Sequence, residues 1–190
     1  MHTMQAIWDR IEAWLNIYAP ELLDNLLPGA DDDDIQEIEA ELGYQFPEAV
    51  RASLRIHNGA VDCFAGIWQL LNVDDILRQY RVQLEVMHSL PKDVVWWWHP
   101  HWLPLVYDGC GDLLCVDAAP EADEPLGQII QFDHETGSRW IAPSFQALLS
   151  NFADHLEAGK YVLNVSGNLE SKEFLFEQPQ LPPGSKLKYY

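Results

Sequence analysis

Histidines at 99 and 101 are spaced to place two imidazoles on one side of an extended segment. Such a pair can begin a zinc site, but zinc needs a third ligand and usually a fourth. Pro100 between them argues for a turn or an extended loop, and the further ligands are unassigned. Cys110 or Cys115 with His134 would offer a thiol and a base. A nucleophile also needs an activating contact and an oxyanion site, and neither cysteine has that context. Ser53 and Ser144 lack it as well, and Ser144 reads as a helix cap. Asp108, Asp112 and Asp117 could gather carboxylates for a metal or for acid–base work. The simpler expectation is that Asp108 and Asp112 bond turn amides around two glycines. No glycine-rich phosphate loop is present. No catalytic residue, metal site or cofactor is therefore assigned, and the expectation is a protein that is not an enzyme.

Two other groups could bind a partner. Asp31, Asp32, Asp33 and Asp34 form an unbroken acidic run. A calcium loop would alternate its ligands and end on a distant glutamate, a pattern absent here. A helix cap with negative charge at the positive end of the dipole explains the run better. Trp96, Trp97 and Trp98, with Trp102 nearby, form a dense aromatic cluster. Core packing, a protein-binding hot spot and carbohydrate stacking all remain open for it.

The elements that would hold these residues are legible from periodicity. Met4 to Tyr18 carries Ile7, Ile11, Trp14, Leu15 and Tyr18 on one helical stripe, and Pro20 ends it. Glu21 to Leu27 allows one or two more helical turns. A helix follows the aspartates, with Ile35, Ile38 and Leu42 on one face and Gly43 as its stop. Pro47 opens the next helix, which Asn58-Gly59 closes. Ile67 to Leu71 reads as a strand, and Val73 to Met87 as a helix with Asp74 and Asp75 at its start. Leu103–Tyr107, Leu113–Val116, Gln128–Phe132 and Arg139–Ala142 are short strands, the first two joined by a hairpin at residues 108–112. A polar loop spans residues 121–125, and a last helix runs from Pro143-Ser144 to Gly159. Helices, then a strand meander, then a helix make an α+β fold. Residues 1–159 form one domain in this reading, and 160–190 an extension with short strands at 161–165 and 173–176.

Thirty acidic residues against eleven lysines and arginines leave a formal charge of −19 among 190 residues. Such a surface repels phosphate backbones and anionic lipid, so nucleic acid and membranes are poor partners. It attracts a cationic protein. The opening residues carry no signal-type pattern, no apolar run approaches a membrane span, and three cysteines suit a reducing compartment. A cytoplasmic location is the expectation.

Three blocks give the chain a family resemblance. One runs from Glu37 to Gly59 and includes Leu42-Gly43-Tyr44-Gln45-Phe46-Pro47 and His57-Asn58-Gly59. The second joins Trp102-Leu103-Pro104-Leu105, Asp108-Gly109, Gly111-Asp112 and Leu114 to Asp117. The third joins Gly127 to Ile130, His134-Glu135, Arg139 and Ala142-Pro143-Ser144-Phe145. In this order they resemble the SUKH superfamily, the Smi/Knr cell-wall-regulator family, over about residues 5 to 158. The resemblance implies a mostly antiparallel or mixed sheet covered by helices, and no enzymatic activity. It also implies a protein-binding role. The leading expectation is an immunity protein that neutralises a cationic toxin domain, and the alternative is an adaptor in cell-wall or stress physiology. Cys110, the tryptophans between Pro91 and Trp102, and the segment after Gly159 depart from the simplest family pattern. Asp31 to Asp34, Asp62, Asp74, Asp75, Trp97 and Trp98 are the expected partner-binding residues.

Overall fold

The computed structural model describes residues 3–91, 98–118, 126–171 and 179–180. Five helices and two strands come from the first part of the chain: α1 (Met4–Tyr18), α2 (Pro20–Asp24), α3 (Asp32–Leu42), α4 (Glu48–Leu54), β1 (Cys63–Ala65), β2 (Trp68–Leu70) and α5 (Val73–Ser89). Then come β3 (Trp102–Tyr107), β4 (Leu113–Asp117), β5 (Ile129–Phe132), β6 (Arg139–Ala142), α6 (Phe145–Glu157), β7 (Val162–Leu163) and β8 (Leu169–Glu170). Strands β1 to β6 pair in chain order into one antiparallel sheet, and β7 and β8 form a separate hairpin. The fold is α+β, as the strand meander predicts.

Both faces of the sheet are covered, which is why β4 is buried at every residue. Leu114 and Val116 point into the main core shared by α1, α4 and α6. Leu113 and Cys115, alternating with them, point into a second cluster with Tyr80, Trp98, Trp102, Ile130 and Phe132. Helix α5 serves both clusters, because Val73 and Ile76 enter the first and Tyr80 the second.

Several expectations are corrected by packing. On α1 the buried stripe includes Trp8, whereas Tyr18 is turned outward. Trp8 is held by Ser53, whose Oγ accepts from its Nε1 at 2.9 Å, and this contact occupies the Ser53 hydroxyl. Asp31 sits at the N-cap of α3 but makes no side-chain capping bond, so its contribution is charge. On α5 the cap is Asn72, which accepts from Asp75 N at 2.9 Å. Ser144 caps α6 as expected, accepting from Ala147 N at 3.1 Å. Strand β1 was not foreseen, since Asp62 and Gly66 obscure a three-residue run. The boundary expected at residue 159 does not end the packing, because Tyr161 and Leu169 lie in the main core. Gln180 N donates to Ile141 O at 2.6 Å along β6. The polar loop at 121–125, the strand at 173–176, and Trp96 and Trp97 lie outside the described residues.

The segment Asn58-Gly59 is a tight junction. Asn58 Oδ1 accepts from Val73 N at 2.9 Å, and Gly59 O accepts from Leu27 N at 3.0 Å. Gly59 has φ +76, and a Cβ there would stand 2.6 Å from both Asn72 N and the Leu71 carbonyl carbon. Gly59→Ala is therefore expected to cost more than about 3 kcal/mol, through backbone strain and displaced backbone. Ser144→Ala, which loses one cap bond, is expected to cost about 1 kcal/mol. Denaturant unfolding of both variants checks the order, and equal losses would contradict it.

Candidate partner-binding groove

Helices α3 and α5 lie side by side, and a groove of about 240 Å³ opens between them. Asp34, Glu37 and Glu41 come from α3, and Asp74 and Leu77 from α5. Ile38, Val73 and Asn58 complete the lining. Positions 34, 37 and 41 share one helical face by their spacing. Position 38, one turn after 34, is buried and fixes that face against the protein. Glu41 is paired with Arg81, whose Nε lies 3.0 Å from it. Among the described residues no cation pairs with Asp34, Glu37 or Asp74. The groove therefore gathers carboxylates without a described cation: Asp34 and Asp74 in the first turns of α3 and α5, and Glu37 further along α3.

Of the residues expected to bind a partner, the fold brings Asp34 and Asp74 together here. Asp31 and Asp33 are exposed on the approach to α3. Asp32 is taken up by Arg55, 2.7 Å away, which also reaches Glu48 at 3.2 Å. Asp75 accepts from Asn72 Nδ2 at 3.0 Å and pairs with Arg78 at 2.6 Å. Asp62 bonds its neighbour Cys63 N at 2.7 Å at the start of β1 and does not line the groove. Trp98 is a correction: it is 2% exposed, with Trp102 and Phe132 edge-on at 5.7 and 5.2 Å. A ring buried in the second cluster offers no face to a partner. Trp97 lies outside the described residues. Glu37, Glu41 and Asn58 were missed, although the 34-37-41 spacing is a readable acidic helix face.

Several of the positions weighed for chemistry serve structural contacts. Asp108 Oδ1 accepts from the amides of Cys110, Gly111 and Asp112 at 2.8, 3.0 and 2.9 Å, as its turn context predicts. Asp112 Oδ1 lies 2.7 Å from His134 Nδ1, so that nitrogen is not set against a thiol. Burial pushes the Cys115 thiol well above its ordinary range. The His99 and His101 rings lie 5.3 Å apart, tilted by 46°, and they join no third metal-type ligand among the described residues. Asp112, Asp133 and His134 do bring their ligand atoms within 4.8 Å of one another. Asp133 spends its carboxylate on Glu135 N, Thr136 N and Thr136 Oγ1, at 2.9, 2.8 and 2.6 Å. The arrangement joins the β3–β4 and β5–β6 turns, and Gly111 makes room for it: a Cβ there would meet His134 Nδ1 at 3.0 Å.

The fold is thus a helix-covered antiparallel meander with a charged interhelical groove, and Asp108, Asp112 and Asp133 are tied into its turns. The chain belongs to the SMI1 / KNR4 family (SUKH-1), whose model matches residues 29–151. It is 27% identical to the glucan synthesis regulatory protein of Neurospora crassa, over 88% of this chain and 41% of that protein. It is 27% identical to the cell wall assembly regulator SMI1 of Saccharomyces cerevisiae, over 82% of this chain and 41% of that protein. A third relative is the cell wall biosynthesis/cell cycle regulator smi1 of Schizosaccharomyces pombe, 27% identical over 85% of this chain and 38% of that protein. The chain thus spans about two fifths of the length of these relatives. No helix among the described residues is long and apolar enough to cross a membrane.

The bond to Asp112 raises the His134 pKa. A raised folded value means the contact stabilises fully below the unfolded pKa of about 6.5, and that this support is lost as pH rises through the folded value. The melting-temperature gap between the native chain and His134→Ala is expected to be widest near pH 5.5 and to narrow towards about pH 9. A gap that widens with pH would contradict the assignment.

Proposed function

We propose that this chain is a non-enzymatic protein-binding domain of a cell-wall or stress regulator, and that it docks a cationic segment of a protein partner in the α3–α5 groove. The observation that carries the reading is the trio Asp34, Glu37 and Asp74, which face one cleft with no described counter-ion. Regulatory naming of the relatives supports the adaptor role. It gives no support to the toxin-neutralising role expected first, or to a toxin as the partner. Lysine or arginine side chains entering the groove would find the carboxylates, while the half-buried Leu77 takes up their methylene stems. Asp31 and Asp33, exposed beside the groove, add attraction at longer range. Asp32, Asp62 and Asp75 are secondary contributors, since each already serves a local bond. A cytoplasmic setting is consistent with Cys63, Cys110 and Cys115 as free thiols.

The triple variant Asp34→Asn, Glu37→Gln, Asp74→Asn is expected to weaken binding of a flexible arginine- and lysine-rich peptide about tenfold at low salt. The difference should shrink as salt screens it. Titration calorimetry reads both quantities, and equal affinity of the two proteins at low salt would remove the groove from the reading. In the source organism, loss of the gene should change growth under wall stress, and the triple variant should fail to restore it. Unchanged growth on deletion would remove the regulatory role.

A further inference from the structure

A second surface lies outside the matched region, on the first helix. Trp14, Ile17 and Tyr18 form the floor of a shallow groove of about 340 Å³ along α1, with Asp9, Arg10 and Glu157 at its rim. Ile17 is 67% and Tyr18 57% exposed, and the Trp14 and Tyr18 rings lie 4.9 Å apart, tilted by 39°. Trp14, half-buried where it packs against the main core, and the outward Ile17 and Tyr18 at three- and four-residue spacing from it make an apolar ridge along the edge of the Ile7, Ile11 and Leu15 stripe. The packing of Trp14 against the core anchors this ridge.

We propose that this ridge is a docking surface for an amphipathic helix of a partner protein, one whose apolar stripe is flanked by lysine or arginine. A helix fits because the backbone of α1 is bonded within itself and offers no edge to a strand, whereas ridges spaced by three and four residues seat the grooves of another helix. The rim selects the flanking charge. Arg10 is clamped by Asp154 at 2.6 Å and by both Glu157 oxygens at 2.8 and 2.6 Å, so its cation is already matched. Asp9 adds a further carboxylate, and the rim is net negative. A second copy of this chain is a poor occupant, because each copy carries a formal −19. The ridge shares no lining residue with the α3–α5 groove, and the inference stands independently of that groove.

The test uses the whole chain and two synthetic peptides of one composition. One is a leucine–lysine helix with leucine at three- and four-residue spacing; the other is shuffled to destroy the stripe. The patterned peptide is expected to bind saturably and to shift the Ile17 methyl and Trp14 indole resonances in NMR spectra. Ile17→Asp should weaken it by roughly tenfold or more while the melting temperature is kept, since Ile17 is exposed. The triple groove variant should bind the patterned peptide nearly as the native chain does. Equal binding of the shuffled peptide would reduce the effect to bulk charge and overturn the proposal. So would full binding by Ile17→Asp, shifts confined to the α3–α5 groove, or sedimentation showing that the free chain self-associates through α1.

Discussion

At residue 59 the chain has room for a hydrogen atom and for nothing larger, because the backbone of residues 70–72 passes against it. That approach joins three parts of the protein. The residues after α2 bond Gly59 O through Leu27, and the start of α5 bonds Asn58 through Val73. His57, one residue earlier, sets its ring against Trp8 of α1 at 4.8 Å, with its nitrogens at Leu27 O and Glu12. The N-terminal helix, the segment after α2, the end of β2 and the start of α5 are therefore registered to one another at a single turn. The groove depends on the same turn, since Asn58 lines it and Val73 begins the helix that forms its second wall.

Charge and burial divide the work between surfaces. The sheet needs cover on both faces, and helices α1, α4 and α6 supply one side while α5 and the residues around Trp98 supply the other. Aspartates occupy the first turns of α3 and α5, where the dipole tolerates them. Asp34 and Asp74 thus have two consequences at once: each favours its own helix, and together they make a negative cleft. Some of the thirty acidic residues are matched internally, as the pairs Arg55–Asp32, Arg78–Asp75 and Arg10–Glu157 illustrate, and the −19 is the excess left over the cations. What remains for a partner is local, not a uniform property of the surface.

Most of the elements could be read from the chain because their signals are local. The stripe of α1, the proline before α4, the aspartate–glycine hairpin and the Ser144 cap each depend on residues within one or two turns of one another. The same holds for the acidic face at 34, 37 and 41. Strand β1 and the true cap of α5 were harder, since a three-residue run and an asparagine beside two aspartates give weak local patterns.

Pairing between distant segments was not legible. Sequence determined that Trp98 is large, aromatic and close to other tryptophans, but only the second core cluster decided that it faces inward. Sequence likewise placed Tyr18 on the stripe with Ile11, while packing chose Trp8 as the fully buried aromatic, left Trp14 half-buried at the edge of the core and left Ile17 and Tyr18 exposed. That α3 and α5 would set Asp34 opposite Asp74 follows from neither helix alone. A helical or strand period fixes which residues share a face, but the direction of that face is set by which other elements compete to cover it, and that competition exists only in the folded chain.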